Sequence, residues 1–290
     1  MKRTSKELKR MSRQMLLGNY GLVALAFFLC QAIVGLLTAP FENQLSAYNQ
    51  TFVFESYGQQ IVDTNIASNG STNYPIFALI AVIIISLLAI ILSAGNTKIH
   101  MDLARKQKTG IGVLFSQFRC RPDRFIISTV LVALITILCI LPGIVCLFIS
   151  ALLEALPKYN SFLGLWIAGG LLTAVGIFFT FFFALRFSLV YYYLIDDTSL
   201  GALGAMKESF RTMKGHCGRK LYILLSFIPM ELLILLSFGI AIFWVQPYVC
   251  MTDVNFYLDV TGELTRKEEE ARRLDEEMGP LMTDEYFKKE

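Results

Sequence analysis

The basic residues of this chain are confined to short segments that long apolar stretches separate. All but two of the 26 lysines and arginines fall in four segments, 1–18, 96–124, 194–220 and 260–290. Residues 40–74, which lie between two apolar stretches, contain none. Proteins that cross a bilayer repeatedly keep their lysine- and arginine-rich segments in the cytoplasm. The pattern therefore predicts a polytopic membrane protein with these four segments on the cytoplasmic side.

Composition agrees with a membrane location and argues against nucleic-acid binding. Hydrophobic residues make up 55% of the chain and charged residues 17%, and the mean hydropathy is +0.56. Soluble domains average about 45–50% apolar and about 25% charged residues. No soluble basic segment is interleaved with aromatic residues on which bases would stack, so we expect no nucleic-acid partner.

Four apolar stretches are long enough to cross a bilayer as helices. A transmembrane helix needs about 20 apolar residues to span a hydrocarbon core of ~30 Å. The stretches lie at 19–39, 75–95, 125–156 and 162–193. We predict that each forms one membrane span, with residues 40–74 as an outer loop.

The last apolar region, 221–258, fits two topologies. As one helix it would leave the C-terminal tail outside. As a hairpin of 221–236 and 240–258 it returns the basic tail to the cytoplasm, which the positive-inside tendency favours. We therefore predict an all-α helix bundle with about six transmembrane helices over 19–258 and both termini cytoplasmic.

The remaining segments are predicted to lie outside the bilayer. Residues 1–18 have an amphipathic basic pattern, because Leu8, Met11 and Met15 recur at helical spacing beside lysines and arginines. Such a helix is suited to lie on an anionic leaflet, and residues 111–118 show a similar apolar side. Residues 259–290 form a charged cytoplasmic tail that is helical in composition but lacks an apolar face.

The sequence contains no pattern typical of a metal site, a cofactor site or a catalytic centre. None of the six cysteines lies in the predicted outer loop, and no two have metal-ligand spacing. Glycine-rich phosphate loops, nucleophile elbows and paired catalytic carboxylates are absent from the sequence. We therefore expect no disulfide, metal or cofactor, and no enzymatic activity.

Several short motifs resemble those of a known family. They are Leu17-Gly18-Asn19-Tyr20, Arg186-Phe187-Ser188-Leu189-Val190-Tyr191-Tyr192-Tyr193, Met213-Lys214-Gly215-His216 and Pro247-Tyr248. The chain resembles DUF975, a family of bacterial integral membrane proteins of unknown function, most strongly over 185–258. The layout is also similar to the six-span membrane domain of some glycerophosphodiester phosphodiesterases. The resemblance implies a multi-pass protein of a bacterial plasma membrane, supports the C-terminal hairpin and supplies no catalytic residue.

Three charged residues in apolar segments form a candidate intramembrane polar site. Glu231 lies about eleven residues into the predicted fifth span, which is close to mid-membrane at 1.5 Å per residue. An intramembrane carboxylate suggests a proton or cation relay or a ligand contact; the alternative is a protonated, hydrogen-bonded Glu, or one displaced outward by Pro229. Arg186 and Asp253 lie near the cytoplasmic ends of their spans, and we expect them to pair as a structural clamp.

Each of two further patterns has both a structural and a functional interpretation. Lys214, Arg219 and Lys220 precede the fifth span, where they set topology and are candidates for phospholipid headgroup contacts. The predicted fourth span has a face of small residues, namely Gly164, Ala168, Gly169, Thr173 and Gly176. Close helix packing is the ordinary explanation of such a face, and a substrate passage is the alternative.

These observations favour a non-enzymatic membrane protein that acts through helix packing and through lipid or protein contacts. The expected partners are the lipid bilayer, including anionic phospholipid headgroups, and either another membrane protein or a second copy of this chain. The alternative is a small-solute or ion transporter that uses Glu231 and Asp253. A lipid-modifying membrane enzyme is a third hypothesis, which would need polar side chains grouped at the inner interface.

Overall fold

A computed structural model describes residues 3–56, 74–154 and 163–287, and every regular element within these ranges is a helix. The α-helices are α1 (Ser5–Leu16), α2 (Tyr20–Ser56), α3 (Tyr74–Ala104), α4 (Asp123–Glu154), α5 (Leu163–Phe187), α6 (Val190–Asp196), α7 (Ala202–Thr212), α8 (Cys217–Leu225), α9 (Ile228–Leu236), α10 (Ile242–Val260) and α11 (Glu263–Phe287). A 3-10 helix at Ile111–Phe118 lies between α3 and α4. The predicted all-α fold is confirmed.

Four segments are long and apolar enough to cross a membrane. They are Tyr20–Phe41, Ile76–Ala104, Asp123–Glu154 and Leu163–Asp196. At most 22% of the residues in the most apolar window of any of them are buried within the protein. Exposed apolar surface of this extent marks a membrane-facing or protein-interaction surface. The four segments match the first four predicted spans and support a membrane protein.

The first long helix ends later than expected. α2 continues through Pro40 to Ser56, so residues 40–56 are helical rather than loop. No glycine occurs between Gly35 and Gly58 to end the helix. Residues 57–73, the rest of the predicted outer loop, lie outside the described residues.

The predicted span 162–193 is interrupted near its end. α5 stops at Phe187 because the Leu189 N–H leaves the helical pattern and donates to Ser209 Oγ, at 3.3 Å. The Ser209 hydroxyl in turn donates to the Arg186 carbonyl, at 2.7 Å. A serine of α7 is therefore bonded to the backbone at the point where α5 ends and before α6 begins.

Small residues bring α4 and α5 into close antiparallel contact. A Cβ added at Gly143 would lie 2.4 Å from Thr173 Oγ1, and one added at Gly176 would lie 2.4 Å from the Cys139 carbonyl oxygen. Gly169 packs in the same way on Leu147. These contacts support the packing interpretation of the small-residue face.

The helix at the N-terminus packs on protein rather than on a leaflet. A capping box starts α1: Glu7 N–H donates to Thr4 Oγ1 at 3.3 Å, and Thr4 N–H donates to Glu7 Oε2 at 2.7 Å. The buried face of α1 carries Leu8 and Ser12, and Asn255 of α10 donates to Ser12 Oγ at 2.8 Å. The expectation that this apolar face lies on lipid is therefore wrong, because α10 covers it.

A buried hydrophobic core lies at one end of the long helices. It joins residues of α1, α3, α6, α8 and α10, including Leu8, Met101, Ile223, Met251 and Phe256. We call this the basic end, because residues of all four basic segments, including the segments with α7 and the start of α11, lie there. The 3-10 helix packs on α3 near this end, and Leu114 is fully buried there. The expectation that the apolar side of 111–118 lies on lipid is therefore wrong for Leu114. Most of the apolar surface of the four long segments remains outside this core.

We predict that Gly95→Ala destabilises the fold. A Cβ at this position would lie 1.9 Å from the carbonyl oxygen of Leu114, a backbone atom that no side-chain rotation can move. Overpacking of this kind costs about 1–3 kcal/mol, measurable as a lower thermal unfolding midpoint in detergent. Gly21→Ala is the matched control, because a Cβ there meets no described atom within 4 Å. Equal midpoints for the two variants would contradict the prediction.

Candidate functional site

The helices α8, α9 and α10 form a helical hairpin. The chain reverses at 237–241, where Phe238 and Gly239 have φ angles of 52° and 88°. Phe227 packs edge-on against Tyr248, with ring centroids 5.2 Å apart, and Lys220 pairs with Asp253 at 2.5 Å. From the Lys220–Asp253 pair to the Phe227–Tyr248 pair, the residue number rises on the first arm and falls on the second. The two arms are therefore antiparallel. The structure thus reverses direction where the sequence predicted a turn.

A cation from α1 lies at the break between α8 and α9. Lys9 Nζ donates to the Ser226 carbonyl at 2.9 Å and lies 3.8 Å from the centroid of the Phe227 ring. A positive charge at the end of α8 is favourable because the carbonyl end of a helix is negative. Burial, with a smaller contribution from Arg13, lowers the pKa of Lys9. Sequence reasoning missed this role, although Pro229, which has no N–H, signalled the break.

Two of the three predicted site residues line one pocket on the hairpin. The pocket has a volume of 270 Å³, and its charged residues are Lys220, Glu231 and Asp253. We call it the carboxylate pocket; Phe227 and other apolar side chains form the rest of its wall. Asp253 is neutralised by Lys220, which is itself almost fully buried.

Glu231 occupies a different setting from the one expected. It lies in the first turn of α9 and is exposed at the pocket rather than enclosed by helices. The positive end of a helix favours a carboxylate in its first turn. The sequence predicted an unbroken span through Glu231. In the structure the helix is interrupted at Ser226 and Phe227, so Glu231 lies near the N-terminus of a new helix, α9.

Arg186 does not join the other two residues. Its Nη1 donates to the Phe210 carbonyl at 3.1 Å, and its guanidinium lies 4.5 Å from the centroid of the Phe210 ring. The predicted pairing of Arg186 with Asp253 is therefore wrong, because α7 provides the partner of Arg186 and α8 that of Asp253. Both residues end apolar segments, but nothing in the sequence indicated that α7 would lie beside α5.

The three candidate headgroup cations are placed differently from one another. Lys214 is exposed in the turn after α7. Arg219 pairs with Asp259 and lies 5.0 Å from the centroid of the Phe256 ring. Arg219 and Lys220 thus neutralise carboxylates of α10 inside the protein, which corrects their expected role at headgroups. Lys214 stays a candidate for that contact.

Ion pairs connect the basic segments to one another, and sequence reasoning did not anticipate them. Arg105 donates two hydrogen bonds to Asp196, at 2.6 and 2.9 Å, and two to Glu263, at 3.1 and 2.8 Å. Tyr257 OH donates to Asp196 at 2.6 Å. Arg3 pairs with Asp259 at 3.0 Å. These contacts hold α3, α6, α10 and α11 together at the basic end.

An apolar groove lies between α1, α9 and α10, on the hairpin but separate from the carboxylate pocket. We call it the α1 groove; it has a volume of 450 Å³. Its apolar wall includes Leu16, Leu17, Met230, Leu233, Trp244 and Val245. Arg13 is the charged residue that lines it, and Arg13 Nε donates to Tyr248 OH at 3.2 Å.

Metal-binding clusters are not found in the part of the chain that the structure describes. No group of three histidine, cysteine, aspartate or glutamate residues within 3–56, 74–154 and 163–287 is arranged to hold an ion. The six cysteines, all within these ranges, are free thiols.

We predict that Glu263 stabilises the fold above pH 4.5 and that this stabilisation is lost as the pH falls. Burial alone would raise its pKa, but hydrogen bonds from Arg105 and Lys267 lower it from 4.5 to about 2. A depressed folded-state pKa adds stability above pH 4.5 that is lost as the pH falls toward about 2. Glu263→Gln should therefore flatten the fall of the unfolding midpoint over that range.

The control for this pH measurement is Glu270→Gln. Glu270 is exposed in the same helix and lies 3.9 Å from Arg266, so its loss should leave the pH profile close to that of the unaltered protein. Identical profiles for the Glu263 and Glu270 variants would show that the Arg105 pair does not stabilise the fold.

Comparison with known proteins identifies a family. No curated protein and no solved structure matches this chain. The model of a family described as a protein of unknown function, DUF975, matches residues 1–263. The match includes α1, the four long apolar segments, the hairpin and the carboxylates that pair at the basic end. The chain therefore belongs to the DUF975 family.

Proposed function

We propose that this chain is a non-enzymatic, multi-pass protein of a bacterial plasma membrane that acts through contacts with lipid and with protein partners. The observation that carries the proposal is the convergence of all four basic segments at one end of four lipid-compatible helices. Arg3 and Arg219 meet at Asp259, and Arg105 meets Glu263 at the start of the basic tail. The positive-inside tendency assigns this end, and with it both termini, to the cytoplasm.

The depth of the hairpin supports four full crossings rather than the six predicted from the sequence. The Phe243 ring, at the start of α10, lies 6.2 and 5.6 Å from the rings of Phe27 and Phe28. The apolar segment of α2 continues to Phe41, 13 residues beyond Phe28, which is about 20 Å of helix at 1.5 Å per residue. The five-residue turn 237–241 is too short to cover that distance.

The backbone of the turn is suited to hydrocarbon. Gly239 N–H donates to the Ile234 carbonyl at 2.8 Å, Ile240 N–H to the Ser237 carbonyl at 3.2 Å, and Ala241 N–H to Ser237 Oγ at 2.9 Å. Backbone donors inside a bilayer must bond within the protein. The side chain at the tip, Phe238, is 97% exposed and apolar. We infer that α9 and α10 enter the inner leaflet and return, leaving both termini on one side.

Labelling of Phe238→Cys tests this topology. With the six native cysteines replaced by alanine, we expect a thiol at 238 to be unreactive toward a water-soluble maleimide on either face of intact vesicles, and reactive after detergent. Protein burial cannot explain protection there, because the side chain is exposed. Leu203→Cys, on the exposed surface of α7, is the control and should react from the cytoplasmic face only. Reaction at 238 from the outer face would support six crossings instead.

Transport of an ion or small solute is the second candidate function. It is favoured by the carboxylate pocket, where Glu231 and Asp253 share a wall and Lys220 neutralises only one of them. Under this hypothesis Glu231 would exchange a proton or bind a cation at the membrane face of α9.

Flux measurements separate the two candidates. Purified protein in proteoliposomes is assayed with protons, monovalent cations and a panel of small solutes. We expect no flux above that of protein-free vesicles. Flux that Glu231→Gln abolishes, and that Glu270→Gln leaves intact, would replace the proposed function by transport; Glu270 is a suitable control because it lies on exposed α11.

A further inference from the structure

We propose that the α1 groove binds one anionic phospholipid of the cytoplasmic leaflet, with its phosphate at Arg13 and an acyl chain along the apolar wall. The proposal rests on the membrane insertion and the hairpin depth argued above, and it names the lipid class that the site would take. Its support comes from three features of the groove: a cation with unused donors, the direction of the groove in the membrane, and its size and charge.

The polar end of the groove has a cation with unused donors. Arg13 is exposed and donates through Nε to Tyr248 OH at 3.2 Å, and its two terminal nitrogens donate to no atom of the described residues. Arg13 forms no ion pair with any carboxylate in the described ranges. Lys9, one turn earlier, is already bonded to the Ser226 carbonyl. A guanidinium with two free nitrogens matches the geometry of a phosphate.

The direction of the groove matches the direction of a lipid. Arg13 belongs to α1, just before α2 enters the bilayer at Tyr20, so it lies at the level of the cytoplasmic headgroups. From there the wall continues to Leu233 and Trp244, which lie toward the inserted tip of the hairpin. A phospholipid in this leaflet also places its charge at the interface and its chains toward mid-membrane.

Size and charge favour a lipid over a protein segment. A volume of 450 Å³ lies within the ~300–1,000 Å³ typical of sites for small molecules. Exposed Lys6 and Arg10 on the same helix add positive charge near Arg13. This charge attracts a lipid with a net negative headgroup and disfavours the quaternary ammonium of a choline headgroup.

Fluorescence of Trp244 provides a direct test, since this side chain lines the groove. The chain has two tryptophans, so Trp166→Phe leaves Trp244 as the sole emitter. The protein is placed in vesicles that contain phosphatidylglycerol or phosphatidylcholine with brominated acyl chains at equal mole fraction. We expect stronger quenching by the brominated phosphatidylglycerol, because it occupies the groove.

Variants identify the headgroup contact. In the single-tryptophan background, Arg13→Gln should reduce the preference for phosphatidylglycerol about fivefold, as expected for the loss of one cation at a membrane surface. Arg13 is exposed and outside the core, so this variant should retain the fold. Lys214→Gln removes the same charge from an exposed position outside the groove and should keep the preference.

Each remaining outcome overturns the proposal. Equal quenching by the two lipids would refute selection of an anionic headgroup, and a preference that survives Arg13→Gln would refute the role of Arg13. Absence of quenching by both would show that protein, such as a second copy of the chain, covers the groove. Flotation with the vesicles separates these failures from failure of the proposed function: a protein that floats without a lipid preference refutes the lipid site alone.

Discussion

One buried carboxylate determines how the segments of the basic end are arranged. The side chain of Asp259 is 2% exposed and binds two arginines, Arg3 before α1 and Arg219 in α8. A buried carboxylate costs several kcal/mol unless nearby cations compensate it. The two arginines therefore fix the N-terminal segment, the first arm of the hairpin and the start of the tail relative to one another. The packing of α1 along α10, and with it the α1 groove, depends on this arrangement.

Much of the membrane architecture follows from the sequence, because hydropathy and helix length report directly on solubility in lipid. The four long segments and the reversal near Ser237 were predictable on this basis. The depth proposed for the hairpin was not, since an apolar segment of sixteen residues, 221–236, has the composition of a short span and of a partial insertion alike. The contact of Phe243 with Phe27 and Phe28 is the observation on which the proposal of a partial insertion rests.

The candidate site was predictable in part for a related reason. A charge within an apolar segment is visible in the sequence, so Glu231 and Asp253 were found, and the structure brings both to one pocket. Partners distant in sequence are not visible, which is why Asp253 was matched with the wrong cation. Lys9 and Arg13 were missed because α1 was taken to lie on lipid, and cations on such a helix need no specific partner.

The hairpin can end inside a bilayer because its two interruptions are hydrogen-bonded within the protein. At the break between α8 and α9 the Ser226 carbonyl accepts from Lys9 Nζ, at 2.9 Å. At the turn, Gly239 N–H is bonded to the Ile234 carbonyl. In hydrocarbon each unbonded backbone group costs several kcal/mol, so the insertion proposed for the hairpin depends on these bonds. α1 is therefore part of the hairpin unit: it supplies the cation at the break and one wall of the α1 groove.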